Sequence, residues 1–220
     1  MTTLRGKPWT YSALEAFETC PRQFHEVKVL RRFRDRPNPA GDWGDRVHKA
    51  LEDFMETGAA LPEGMQQWQV LATTLKNLPG RKLTEVKLAV DKCFSPTPWG
   101  DAWSRGKVDL VVLNGREAAG FDYKTGKPKP SEQLMLYAGY MFATWPELEK
   151  AQTGFVWLKN RRIEPATYYR KDVPRIWQEF APRVHRMELA QEKDAWPPRP
   201  SGLCNGWCPV TDCEHYKSKS

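Results

Sequence analysis

The sequence predicts an α/β fold organised as an α-β-β-β-α-β core, and three observations carry that expectation. Val47, Leu51 and Phe54 repeat at helical spacing ahead of a strand-rich stretch. Asn114-Gly115 separates two short apolar runs, the pattern of a type I′ β-hairpin. Beyond it the pattern returns to a helix over 131–144 and then to two short strands, as when helices cover a sheet.

In chain order, the first helix is expected over 12–24, with Ser12 as N-cap, Leu14, Phe17 and Phe24 as apolar anchors, and Pro21 as a possible break. Pro37-Asn38-Pro39 reads as a loop. A second helix over 41–57 carries His48, and a third over 62–77 ends at Pro79-Gly80. Strands follow at 83–90, 107–113 and 118–124, then the 131–144 helix, strands at 153–158 and 164–169, and a long helix over 173–193 that Pro182 should kink or divide. Trp196-Pro197-Pro198-Arg199-Pro200 reads as a rigid connector.

At 220 residues the chain is long enough to bury a real core, as one domain or one domain with a small appendage. No apolar run is long enough to span a bilayer, and the N-terminus lacks an apolar signal core, so a cytoplasmic location and no membrane contact are expected. A formal net charge of +7 favours an anionic partner, and Lys28, Arg31, Arg32, Arg34 and Arg36 concentrate it. That run is either a nucleic-acid contact or a solvated helix end.

The hairpin places chemistry. If Asn114-Gly115 is the turn, Leu113 pairs with Arg116 and Asp109 stands opposite Gly120, so Asp122 points to the face of Asp109. Diagonal neighbours of this kind lie about 7–8 Å apart, close enough for two carboxylates to bend onto one cation. Lys124 shares the parity of Asp122. Two acids on one Mg²⁺-like ion, with a lysine nearby, suit phosphodiester cleavage. The plainer alternative is a solvated salt-bridge face, which fits poorly because Val108, Leu110 and Val112 on one side and Val111 and Leu113 on the other make both faces look buried. A one-residue bulge would turn Asp109 to the opposite face.

Gly44-Asp45-Arg46-Val47-His48, Thr84-Glu85-Val86-Lys87, Gly106-Lys107-Val108-Asp109, Asp122-Tyr123-Lys124-Thr125-Gly126 and Gln133-Leu134-Met135-Leu136-Tyr137 follow one another in that order. Together they resemble the PD-(D/E)XK nuclease superfamily, in its RecB-like exonuclease branch, from about Ser12 to Cys213. The resemblance implies a restriction-endonuclease-like core in which His48, Asp109, Asp122 and the carbonyl of Tyr123 hold Mg²⁺ or Mn²⁺. It implies that Lys124 positions the attacking water or stabilises developing charge, and that Gln133 and Tyr137 hold substrate phosphate or the lysine. Glu85 is a further ligand, a water-positioning base, or half of a Glu85–Lys87 surface pair. Arg31, Arg32 and Arg34 are candidate DNA contacts.

Cys204, Cys208 and Cys213 crowd the C-terminus and Cys20 lies near the N-terminus. A reducing compartment disfavours disulfides, and both Zn²⁺ and a [4Fe–4S] cluster accept four thiolates. The placement resembles the iron–sulfur nucleases, meaning AddB-type domains and the CRISPR-associated RecB-like exonucleases, although Cys-x3-Cys-x4-Cys stands where those have Cys-x2-Cys-x5-Cys. Residues 1–220 are then one nuclease domain, with 1–40 and 194–220 as a cap joined by a four-cysteine metal centre. Cys93 is left for core packing.

The function expected is a metal-dependent DNA exonuclease of recombination, repair or end processing. The alternatives are a CRISPR-associated end-trimming nuclease and a non-catalytic nucleic-acid-binding module. No Gly-x-x-x-x-Gly-Lys-Ser/Thr loop occurs, so strand separation would fall to a partner helicase, and an integrase or strand-annealing protein would mark the pathway.

Overall fold

The computed structural model describes residues 8–34 and 39–218. Arg36 of the basic run therefore lies outside the described residues. The chain divides into two compact units, Asn38–Trp177 and the terminal segments Met1–Pro37 with Gln178–Ser220.

The first unit is built on a five-stranded sheet in the order β1 (Arg81–Val90), β2 (Ser104–Asn114), β3 (Glu117–Lys124), β4 (Lys150–Trp157), β5 (Arg162–Tyr169). Neighbours are antiparallel except β3 and β4, which run parallel. A parallel pair needs a crossover, and helix α5 (Gln133–Thr144) supplies it. Helices α3 (Pro39–Thr57) and α4 (Gln69–Lys76) cover one sheet face. There Val47, Leu51, Phe54 and Leu75 pack with Leu110, Val112, Phe121 and Tyr123. Helix α5 is apolar nearly all round, with Leu136, Tyr137, Tyr140, Met141 and Phe142 buried, because it lies between the opposite sheet face and further chain.

The expected third helix is shorter than its apolar pattern. Residues Gln66–Trp68 form a 3₁₀ turn before α4, where the buried Trp68 gives its indole N–H to the Leu158 carbonyl at 3.0 Å. Cys93 is a correction to the sequence reading. It is exposed, in a tight turn whose Cys93 and Ser95 N–H groups both donate to Asp91 Oδ1, so it does not pack the core.

The hairpin is also corrected. Asn114 pairs with Glu117, so the loop is Gly115-Arg116 and not Asn114-Gly115. Gly115 has φ 60° and Arg116 does not share that sign, which is the requirement of a type II′ loop, not type I′. The register moves by two, bringing Val111 opposite Gly120.

In the terminal unit, α1 (Tyr11–Thr19) is capped by Thr10, whose hydroxyl accepts from Ala13 N, and not by Ser12. Cys20 adopts extended φ/ψ before Pro21, as a residue preceding proline must, and it is both the C-cap of α1 and the N-cap of α2 (Pro21–Phe24). A π-helical turn, His25–Val29, follows. Helix α6 (Val173–Glu192) runs through Pro182 undivided. No described helix is long and apolar enough to cross a membrane.

Gly106 bears on both fold and site. A Cβ there would meet Tyr140 Cε2 at 2.9 Å and Tyr137 Cε1 at 3.4 Å, and Tyr140 is fully buried with its hydroxyl on Ser104 Oγ at 2.5 Å. Neither ring can retreat cheaply. Gly106→Ala is expected to cost about 1–3 kcal/mol, read as a lowered Tm.

Candidate functional site

The site begins where the strand alternation of β1 and β2 inverts. Thr84 pairs with Leu110 and Val86 with Val108, but Glu85 and Asp109 between them do not pair. Glu85 has φ 49°, a left-handed conformation that costs energy for a non-glycine residue and is usually held in place by its surroundings. Gly106 faces α5, and Val108 shares with Met141 the space over Gly120, whereas Leu110 and Val112 join the α3 side. The expected single face for Val108, Leu110 and Val112 is therefore wrong, and the step across Asp109 is the reason.

That inversion decides where the acids point. Asp109 reaches α3, with Oδ1 3.2 Å from His48 Nδ1 and Oδ2 accepting from Tyr123 N at 2.6 Å. Asp122 keeps the regular alternation of β3 and turns to α5, where Tyr137 donates to Oδ1 at 2.8 Å and Gln133 Nε2 lies at 3.4 Å. The two carboxylates thus do not share a sheet face, contrary to the sequence expectation. They still meet electrostatically at the point where the β2–β3 ladder ends, because each is 5 % exposed and the charge of Asp109 is felt at Asp122.

Three groups lie at metal-ligand spacing. One ligand atom each of His48, Glu85 and Asp109 falls within 4.8 Å of the others. Asp122 is outside that group, paired with Lys124 Nζ at 2.6 Å, and Lys124 also donates to Gln133 Oε1 at 3.3 Å. The Lys124 ammonium therefore holds the buried Asp122 Oδ2 through a charge-assisted contact. Glu85 does not pair with Lys87. It pairs with Lys107, the residue two before Asp109 on the adjacent strand, and this bond raises the pKa of Lys107. The sequence reading missed Lys107, and the β1–β2 register is the signal that would have found it.

His48 Nε2 is 2.9 Å from the Tyr123 carbonyl while Nδ1 faces a carboxylate. Both partners are acceptors, so a doubly protonated imidazole would satisfy both when no metal is bound. Burial opposes this, but Asp109 by hydrogen bond and charge, then Asp122 and the Tyr123 carbonyl, hold the His48 pKa above its ordinary value. Burial, and next the Asp109 charge, raise the Asp122 pKa, against the pull of Lys124 and Tyr137. Burial and the Asp122 charge push the Tyr137 phenol well up, so it stays a donor. A buried acid whose ionisation is opposed by a second buried carboxylate, beside a histidine, fits a divalent cation.

The basic run is less free than its sequence suggests. Arg31 and Arg34 are exposed, but Arg32 is held by Glu26 at 3.2 Å and Asp212 at 2.7 Å. Those contacts belong to a set that ties the two terminal segments together. Arg22 meets Glu214 at 3.2 Å, Arg183 meets Glu18 at 2.6 Å, and Trp196 stacks on His25 with centroids 4.5 Å apart.

Cys20 Sγ receives backbone N–H groups from Gln23 and Arg199 at 3.5 and 3.4 Å. Burial pushes the Cys208 thiol up, and the nearby Cys20, Cys204 and Cys213 thiols add to it. The four cysteines are therefore neighbours, but among the described residues no group of them reaches the 4.8 Å mutual spacing that His48, Glu85 and Asp109 attain. A single zinc ion binding four sulfurs at about 2.3 Å would draw them closer than that.

A family model described as the PD-(D/E)XK nuclease superfamily matches residues 8–213. No curated protein matches the chain. Among solved structures, a Eubacterium rectale protein described as "Putative exonuclease" is 12% identical, with 96% of this chain and 87% of that chain covered and a TM-score of 0.56. The protein SSO0001 is 17% identical over 96% of this chain and 88% of that chain, with a TM-score of 0.46.

Proposed function

The chain belongs to the PD-(D/E)XK nuclease superfamily, and we propose that it is a Mg²⁺- or Mn²⁺-dependent DNA exonuclease of the RecB-like branch, acting in recombination, repair or end processing. The observation that carries this reading is the metal-spaced group His48, Glu85 and Asp109 beside the Asp122–Lys124 pair. His48, Asp109, Asp122 and the Tyr123 carbonyl would hold the cation, with Glu85 as a further ligand. A divalent ion bound there neutralises phosphate charge and acidifies water.

The chain's own groups do the rest. Lys124 Nζ, which contacts Asp122 and Gln133, would orient the water or stabilise charge on the phosphate oxygens. Tyr137 and Gln133 lock the Asp122 carboxylate, since Gln133 Nε2 reaches the Tyr137 hydroxyl at 2.5 Å and that hydroxyl reaches Asp122. They are positioning residues in this reading. Arg31 and Arg34 would meet DNA phosphates, with Arg32 serving the terminal unit.

The second element of the proposal is a structural [4Fe–4S] cluster on Cys20, Cys204, Cys208 and Cys213. The influence of the Cys20, Cys204 and Cys213 thiols on Cys208 supports it.

Incubating end-labelled single- and double-stranded DNA with the protein, with Mn²⁺ or with EDTA, tests the activity. Mononucleotide release only with the metal supports exonuclease action; no hydrolysis of either substrate overturns it.

The raised pKa of His48 makes a signed prediction about pH. Its raised pKa contributes stability to the metal-free protein below the unfolded value of about 6.5, and that contribution is lost as pH rises through the higher folded value. Metal binding must expel the same proton. As pH rises above about 6.5 the Tm in EDTA should fall, while the increase in Tm produced by Mn²⁺ should grow. His48→Ala should flatten both trends, and thermal melts at matched ionic strength decide it.

A further inference from the structure

The β1–β2 pair carries cations away from the metal-spaced group. Lys87 stands opposite Lys107, and Arg105 is two residues before Lys107 on the same strand. Gly106 faces Tyr140 of α5, so its neighbours Arg105 and Lys107 point to the α3 side, where Glu52 of α3 is felt at Lys107. Like charges directly opposite across a strand pair are destabilising unless something offsets them. Lys107 has Glu85. Among the described residues, Lys87 and Arg105 have no acidic partner and instead lie over one ring, that of Trp99.

Arg105 Cζ is 4.6 Å and Lys87 Nζ 5.8 Å from the Trp99 centroid, and Arg105 Nη1 donates to the Trp99 carbonyl at 3.1 Å. Trp99 belongs to the β1–β2 connection, which is fastened by Thr97 N on the Ala89 carbonyl at 3.1 Å and by a bridge from Val90 to Pro96. The ring is half-buried, so it is fixed in place and still reachable. An accessible indole beside two cations without acids is the composition that single-stranded nucleic acid selects, because bases stack on the ring and phosphates meet the charges.

We propose that Trp99, Lys87 and Arg105 form a track for single-stranded DNA, with one base stacked on Trp99 and the flanking phosphates on Lys87 and Arg105, leading the strand to Lys107, Glu85 and the metal group. Arg105 is pinned through the Trp99 carbonyl and extends the planar surface. Lys87 reaches the ring on a flexible stem and moves to a phosphate when a base takes its place. A duplex keeps its bases stacked inside and has none to offer Trp99. The track rests on the nuclease reading of the neighbouring site.

Binding of a fluorescein-labelled oligo(dT) to the full chain in EDTA tests it without cleavage. Trp99→Ala should weaken affinity by about 5- to 150-fold, the range of base–aromatic stacking, and Trp99→Phe should recover most of it. Lys87→Ala, an exposed change that the fold tolerates, should lower the slope of log affinity against log salt by about 1. Inorganic polyphosphate, with charge but no bases, should respond to Lys87→Ala and not to Trp99→Ala. Equal oligonucleotide affinity for wild type and Trp99→Ala, or equal weakening of polyphosphate and oligonucleotide, refutes the track. Should Trp99→Ala fail to fold, an unchanged salt slope for Lys87→Ala refutes it. Wild type that binds through Trp99 but hydrolyses nothing with Mn²⁺ refutes the nuclease reading alone, and wild type that cleaves while Trp99→Ala binds normally refutes the track alone.

Discussion

Asp122→Asn is expected to abolish metal-dependent DNA cleavage, by about a thousandfold or more, while raising the Tm of the metal-free protein. The first effect follows from the proposed role of Asp122, because an amide neither neutralises a cation nor holds Lys124 as an ion pair. The second follows from its environment. Asp122 is buried and its pKa is raised, so the ionised form opposes folding, and Asn keeps an oxygen for the Tyr137 hydroxyl without the charge. Lys124 loses its partner in this variant but is partly exposed and can turn to water. Opposite signs for activity and stability are the signature of a residue kept for chemistry. Near wild-type cleavage by the variant, with contamination excluded, would sink the proposed site. A large drop in Tm with cleavage lost would make Asp122 a structural anchor instead.

Cys20→Ala is expected to lose bound metal and to lower stability by about 3–5 kcal/mol, the scale of removing a cross-link that closes a long loop. Cys20 and the C-terminal cysteines are separated by most of the chain, and only Cys20 comes from the N-terminal segment. The ion pairs Arg22–Glu214 and Arg32–Asp212 already join those segments, but such pairs are weak where exposed. Anaerobically purified wild type should be brown and contain iron. Cys93→Ala should change neither colour nor Tm, because that thiol is exposed in the Asp91–Ser95 turn. Zinc without iron would replace the cluster with a zinc clamp. Metal-free wild type with the same Tm as Cys20→Ala would remove both.

Most of the element order was legible because it rests on local patterns. Val47, Leu51 and Phe54 fall on one helical face, and all three are buried in α3 as the spacing requires. The parallel β3–β4 step was not stated by the sequence, though a helix between two strands is the physical condition for it. Errors gathered where one residue decides the outcome. Thr10 and not Ser12 caps α1, since the two hydroxyls lie 3.0 Å apart and only geometry chooses between them. The hairpin loop is Gly115-Arg116 because glycine suits the first loop position of II′ as well as the second of I′.

The candidate site divides in the same way. The sequence by itself placed His48, Glu85, Asp109, Asp122, Lys124, Gln133 and Tyr137, in motif order, on elements that the sheet brings near one another. Only the tertiary structure decided how they are partnered. The left-handed Glu85 and the unpaired Asp109 opposite it turn these two acids toward His48, while Asp122 stays with Tyr137 and Lys124. The physical reason is that side-chain alternation is a rule of period two. A single backbone inversion, costing an amount that packing elsewhere can hold, reverses its prediction for every residue beyond it.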